Sequence, residues 1–432
     1  MGFCRIDVMR WIAFIIVIVV PCFVVAAEPE ETTETLPPAP EPVLSTASIT
    51  LEECISIALA SHPRLAESLA RVTESQGSAV QAGLYPNPRI DSGNPQTIGP
   101  NRTSVYSFGL TQEVVRGGKL KLDRAAALEA AHQAEYDVVR RRFDVLTGVR
   151  QEFFSTLAAQ RRKALFEKLL ELSKRSEQTS LNLFDAEQVS ETDVLLLRVE
   201  RRRAETALQG AEIALIGQRR QLATSIGVSM FSMSEVRGNL TTNVPQFDDE
   251  EVLTRVLLNS PVVQIANLDV NRTVLLLRRA EVEPIPNLVV QGGTQYSEST
   301  ANYQALVGLY LNVPLWNQNE GNIMAANASV RRSMANRLAV QQELTKQLAD
   351  AITRQRIAEQ VVKNYEEGIL PDAMRTLELV QKAYARGQFE ISRLLQTQRS
   401  VFEANIDYIS ALENRLNAAA DIAGLLQMEE FP

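Results

Sequence analysis

The sequence predicts a mainly α-helical fold with a small β part, built as a duplicated unit of long coiled-coil helical hairpins with four strands per chain. Three observations carry this. A unit of about 200 residues is written twice, far longer than a solenoid period, which points to duplication rather than stacking. Apolar residues recur every seven positions over long stretches, the pattern of coiled-coil packing. Between prolines and glycines, short stretches of each copy alternate with period two, the pattern of strands with one apolar face.

The repeat is anchored by landmarks that keep their order and nearly their spacing. Leu59-Ala60-Ser61-His62-Pro63 returns as Leu257-Leu258-Asn259-Ser260-Pro261, and Pro86-Asn87-Pro88 as Pro284-Ile285-Pro286. Ser107-Phe108-Gly109-Leu110 is echoed by Leu306-Val307-Gly308-Leu309. Leu183-Phe184-Asp185-Ala186-Glu187-Gln188 is matched by Ala383-Tyr384-Ala385-Arg386-Gly387-Gln388. The first repeat is assigned to residues 49–228 and the second to 249–428, with an inter-repeat linker at 229–248.

Each copy opens with helical spacing, Leu51 to Tyr85 and Val252 to Val282, which proline then ends. Two strands follow in each. Tyr106, Phe108 and Leu110 alternate with Ser107, Gly109 and Thr111; Leu288 and Val290 alternate with Val289, Gln291 and Gly293. After a turn, Tyr303, Ala305, Val307, Leu309, Leu311 and Val313 alternate with more polar residues. Long helices then start near Lys119, after Gly117-Gly118, and near Ile323. Val139, Leu146 and Phe153, with Phe143 and Leu157, mark a heptad seam in the first; Leu395, Phe402, Ile409, Leu416 and Ala423, with Ile406 and Leu412, mark one in the last helix. From Lys119 to about Phe184 a single helix extends ~100 Å at about 1.5 Å per residue.

The first segment reads as an address. Residues 1–27 have a basic start (Arg5, Arg10), an apolar run from Trp11 to Val25, and small residues before Glu28, the three parts of a secretory signal peptide. The alternatives are a membrane anchor, for which the run is short, and lipid modification at Cys22, for which Pro21 is a poor preceding residue. Residues 28–48 are acidic and proline-rich and read as a disordered leader with little to bury. No later segment has ~18 consecutive apolar residues, so any membrane embedding falls to strands.

Composition narrows the function classes. Hydrophobic residues make up 45% and charged residues 22%, as in a folded protein. A net charge of -8 without a basic stripe argues against nucleic acid as a partner; Arg140, Arg141 and Arg142 are flanked by apolar and acidic residues and read as a solvated helix face. Of three cysteines, Cys4 and Cys22 lie in the signal peptide, leaving Cys54 without an internal disulfide partner. Two histidines, His62 and His132, are too few and too far apart for a histidine- or cysteine-based metal site. His62 before Pro63 reads as a cap at a helix break, and His132 as surface. No nucleophile motif, phosphate-cradling glycine loop or ligand cluster is found, so the chain is expected not to be an enzyme and to need no cofactor.

An isolated pair of strands is marginal in water and, in lipid, leaves backbone groups unpaired. Four strands from one chain do not close a membrane barrel, since the smallest use about eight. Either several chains share one barrel, with apolar residues toward lipid and Ser, Thr, Gln and Gly toward water, or the strands form a small soluble sheet packed on helices; periodicity alone leaves both open.

Over residues 49–428 the chain resembles the TolC family of outer-membrane factors, especially its heavy-metal efflux type, the CzcC and CusC subgroup. The resemblance rests on Leu59-Ala60-Ser61-His62-Pro63, Tyr85-Pro86-Asn87-Pro88, the junction Gln112-Glu113-Val114-Val115-Arg116-Gly117-Gly118-Lys119, and the second junction from Val313-Pro314-Leu315-Trp316 to Ile323. It implies a homotrimer whose four strands per chain make a twelve-stranded outer-membrane barrel, continued by a helical tunnel through the periplasm. It also implies a passive exit duct working with a periplasmic adaptor and an inner-membrane pump, for heavy-metal or small-molecule export. The turns Ala186 to Asp193 and Arg386 to Leu394 look like the family's periplasmic tips, so Ala186, Glu187, Gln188, Val189, Ser190, Arg386, Gly387, Gln388 and Phe389 are expected to dock the adaptor. Asp193 and Tyr384 match a pair that holds the entrance closed in the multidrug-type member, but Phe389 stands where its arginine partner is expected. Arg393 and Gln396 occupy the positions of its two constricting aspartates, which predicts an entrance without that anionic ring. The alternatives are a periplasmic adaptor, which has one hairpin flanked by β domains, and a structural coiled-coil protein, which needs no matching strands.

Overall fold

The structure is a computed structural model that describes residues 48–93, 105–228, 235–242, 244–245, 249–298 and 300–431. The predicted signal peptide, residues 28–47 of the leader and residues 229–234 of the linker lie outside the described residues. All described residues belong to the unit Leu44–Pro432.

The opening helical stretch of each repeat is two helices, not one. In the first repeat α1 (Leu51–Ser61) stops at His62 and α2 (Pro63–Ala82) restarts at proline. Proline is welcome at the first helical position, where an N–H would be unpaired, and forces the residue before it out of helical geometry. His62 lies at ψ 122° and its Nδ1 accepts the Arg64 N–H at 3.1 Å, so it caps the break as its position before proline predicts. The second repeat does the same at Ser260-Pro261, between α5 (Asp249–Asn259) and α6 (Pro261–Glu281).

Four strands follow the helical pairs: β1 (Arg89–Gly93), β2 (Val105–Val114), β3 (Leu288–Ser297) and β4 (Asn302–Leu311). They form one antiparallel sheet in the order β1-β2-β3-β4, so the duplication puts both copies' strands side by side. Val313, expected in the last strand, lies beyond its end. α3 (Lys119–Asp185) runs unbroken for 67 residues and returns as α4 (Glu191–Ile226). The second hairpin is α7 (Glu320–Asn364), a π-turn (Tyr365–Ile369), α8 (Leu370–Tyr384) and α9 (Ile391–Leu425).

The core sits where the helical pairs meet the middle of the hairpins. Phe153 and Leu157 of the predicted seam are buried there with Ile226, Ile409 and Leu416; Leu146 and Phe143 are buried as well, while Val139 is exposed. Removing a side chain as enclosed as Phe153, which is 2% exposed, costs about 3–5 kcal/mol. The linker contributes too. Val236 and Leu240 join this core, and Ile49 forms a parallel bridge with Val236, its N–H donating to Glu235 O at 3.0 Å. Cys54 is fully buried; burial first, then the adjacent Glu53, push its thiol up to about 12, which keeps it an inert packing group.

Candidate functional site

Two features stand out as functional: a two-faced sheet at one end and paired turns at the other ends of the hairpins. Residues directly opposite in an antiparallel ladder share a face. The register sets Ile90 beside Leu110, Phe108 beside Thr294, Tyr106 beside Tyr296, Val290 beside Leu309 and Leu288 beside Leu311. One face is therefore built from Ile90, Tyr106, Phe108, Leu110, Val290, Tyr303, Val307 and Leu309, interrupted only by Ser92, Gln112, Gly292 and Thr294. Tyr303 and Val307 on it are each 81% exposed. The opposite face is mixed: it carries Ser107, Gly109, Thr111, Gln291, Gly293, Gln295 and Gln304 together with Val105, Val289, Leu306 and Tyr310, and Thr111 Oγ1 donates to Asp91 Oδ2 at 2.7 Å. The sequence alternation thus separates a largely apolar face from a mixed, more polar one.

Tyrosines mark the loop end of the apolar face. Tyr106, Tyr296 and Tyr303 form one cross-strand row, the last two with ring centroids 5.0 Å apart. At the helix end, Trp316 is 94% exposed and lies just past β4. Sequence reading placed Tyr106 and Tyr303 in strands and Trp316 in a junction, but the row that the tyrosines form depends on the register, which no local pattern records.

The sheet is pinned to the helices by a polar junction that sequence reading also missed. Arg116 N–H donates to Asn287 Oδ1 at 3.2 Å and Asn287 Nδ2 to Glu113 Oε1 at 2.7 Å. Lys119, 4% exposed, sits 3.6 Å from Glu283, and Arg279 links Glu283 to Asp123. Gly117 at φ 72° is required here: a side chain would be strained, and its Cβ would stand 3.0 Å from Ile285. Only the glycine pair was visible as a signal; the charges that meet there are far apart in sequence.

The two turns are structural copies of each other. Gln188 N–H donates to Leu183 O at 2.8 Å and Gln388 N–H to Ala383 O at 3.0 Å. Glu187 at φ 58° and Gly387 at φ 69° take the same left-handed position, the usual way to end a helix and satisfy its last carbonyls. Ala186, Glu187, Gln188 and Ser190 are exposed and Val189 half-buried; Arg386, Gly387, Gln388 and Phe389 are exposed.

The turns then diverge. Asp193 belongs to a capping box with Ser190: its N–H donates to Ser190 Oγ at 3.3 Å and its Oδ2 accepts the Ser190 N–H at 3.1 Å. At the matching place, Arg393 stacks over the Phe389 ring, 4.7 Å from its centroid. Tyr384 is 4% exposed in a small core with Leu197, Val380, Ile391 and Leu394, and its hydroxyl has no hydrogen-bond partner. Tyr384 and Asp193 are accordingly not hydrogen-bonded within one chain. Gln396 is exposed one turn beyond Arg393.

His132 is exposed beside Glu135, as a surface residue would be. Among the described residues no helix is long and apolar enough to cross a membrane, and no three histidine, cysteine or carboxylate side chains converge for a metal ion.

Residues 252–426 match the family of outer membrane efflux proteins. In fold the chain superimposes on CusC with a TM-score of 0.75 at 13% identity, over 89% of this chain and 95% of that one. It also superimposes on the CmeC outer membrane channel of Campylobacter jejuni, with a TM-score of 0.72 at 14% identity, over 88% and 87% of the two chains. In sequence the chain is similar to the cobalt-zinc-cadmium resistance protein CzcC of Cupriavidus metallidurans, 26% identical over 378 residues, 88% of this chain and 90% of the relative.

Proposed function

We propose that three copies of this chain close a twelve-stranded barrel in the outer membrane and continue it as a helical tunnel, giving a passive exit duct for a tripartite efflux system. The observation that carries this reading is the sheet. Its apolar face points at nothing in the chain, and among the described residues β1 and β4 have no partner on their outer edges. Backbone groups on such edges need partners in lipid, and barrel closure across copies supplies them. Ten-residue strands span about 30 Å, enough for an apolar band about 25 Å tall. The tyrosine row and Trp316 then fall at the two membrane interfaces, where aromatic girdles belong.

The helices support the same assembly. Ile213, Met324 and Ile357 are each at least 60% exposed on the outer surfaces of the hairpins, where neighbouring copies would cover them. Ala186 to Ser190 and Arg386 to Phe389 serve as docking tips for a periplasmic adaptor, which links the duct to an inner-membrane pump. Asp193, Tyr384, Arg393 and Gln396 line or brace the entrance. The likeness to CzcC makes heavy-metal ions the first cargo class to try, with small molecules the second; a passive duct needs no cargo-binding cluster.

Negative-stain electron microscopy of the membrane-extracted protein tests the assembly. Threefold particles with a tube of ~100 Å, from the helix length, projecting from a detergent belt are expected. Short rods without belt or threefold symmetry would return the chain to the adaptor or structural coiled-coil readings.

A further inference from the structure

The second hairpin is broken where the first is continuous. α7 ends at Asn364 and α8 begins at Leu370, with the π-turn Tyr365–Ile369 between them, whereas α3 passes the repeat-related stretch without interruption. The cause is Pro371. It has no N–H for the carbonyl four residues back, and its ring crowds that carbonyl. The Leu370 N–H reaches back five residues to Tyr365 O instead. Single π-turns inside α-helices recur at functional sites.

Two crossed ties fasten this turn to α9. Tyr365 Oη donates to Asp407 Oδ2 at 3.3 Å, and Tyr408 Oη donates to Glu366 Oε1 at 2.6 Å. Burial first, then the Glu366 carboxylate, push the Tyr408 hydroxyl up to about 12, so it stays a donor at physiological pH. The repeat-related residues Leu165, Phe166, Ala207 and Leu208 have no side-chain donor or acceptor and make no such ties. On the tip side of the turn, α8 flanks an open apolar cleft of about 680 Å³, lined by Leu169 and Leu172 of α3, Met374 and Leu377 of α8 and Phe402 of α9. Met374 is 58% exposed, so moving α8 toward α3 would bury apolar surface rather than crush a filled core.

We propose that the π-turn is a hinge: α8 swings about Tyr365–Ile369 to open or close the cleft against α3, and the two tyrosine–carboxylate ties set its resting angle. The geometry of the hairpin alone carries this inference, which does not depend on the tips being an entrance.

The test uses the full chain with Cys54→Ala and the pair Leu169→Cys, Met374→Cys on opposite walls of the cleft, and follows disulfide formation under mild oxidation. Adding Tyr365→Phe and Tyr408→Phe is expected to speed closure about threefold or more, and Pro371→Ala, which lets the α-helix run through, to slow it by a similar factor. Amide exchange of the unaltered chain gives a second reading that needs no substitution: Tyr365 to Leu370 should exchange about tenfold faster than Leu165 to Leu170. Equal disulfide rates in all three backgrounds, or equal exchange in the two stretches, overturn the hinge.

Discussion

Glu187 and Gly387 occupy the same left-handed place in repeat-related turns, and only one of them suits it. A side chain at that φ costs about 1 kcal/mol, so Glu187→Gly should raise stability by roughly 0.5–1 kcal/mol and Gly387→Ala should lower it by a similar amount. Thermal melting of the extracted protein reads both. Nothing about Glu187 itself announces its backbone; the clue lies two hundred residues away in its glycine counterpart. His62 is the opposite case, legible from the proline that follows it. Burial first, then Arg64, lower its pKa below the ordinary 6.5. The folded state therefore binds the proton less readily than the unfolded state. Its contribution is complete above pH 6.5 and is lost as the pH falls through the window between the unfolded and folded values. His62→Asn keeps a cap acceptor without a titrating ring. The melting temperature of the parent should drop more between pH 7.5 and 5 than that of the variant; identical drops would assign the effect elsewhere.

At the scale of elements, the alternation of β2, β3 and β4 was readable because a two-faced strand writes its faces into every second residue. Its register was not, since pairing between residues as remote as Val114 and Leu288, or Val105 and Ser297, leaves no local mark. With the register known, Val307 and Gln291 are expected to differ sharply. If the apolar face meets lipid, Val307→Arg should cost about 2–4 kcal/mol, whereas Gln291→Arg, on the more polar face, should cost about 0–1 kcal/mol. The yield of heat-resistant trimer in membrane fractions separates them, and equal yields would count against the apolar face as the lipid face. The helix breaks were half legible. Pro63 and Pro261 each stand at the first position of a new helix, with a side-chain cap from His62 before the first, and the helices part cleanly. Pro371 marks the break between α7 and α8, and only the tertiary partners Asp407 and Tyr408 show how the turn before it is held.

For the whole molecule, the test is of the entrance. Arg393 is exposed and stacked on Phe389, and Gln396 is exposed one turn on, so at these two positions three copies would present a cation and a neutral amide. Arg393→Asp should raise cation over anion permeability in planar bilayers about several-fold; unchanged selectivity would place Arg393 off the conduction path. The sequence by itself determined the duplication, the helical hairpins, the strands with their apolar period and the family resemblance, because each is a local or periodic property of the chain. It also exposed the tips, since the repeat aligns their turn residues. Tertiary structure alone decided that both copies' strands share one sheet, that the linker packs into the core at Val236 and Leu240, that Lys119, Arg279, Asp123 and Glu283 meet at the sheet junction, and that Asp193 is engaged with Ser190 rather than Tyr384. The physical reason is common to all four. Periodicity records which side of an element is apolar, while the identity of what lies across from it depends on contacts between residues remote in the chain.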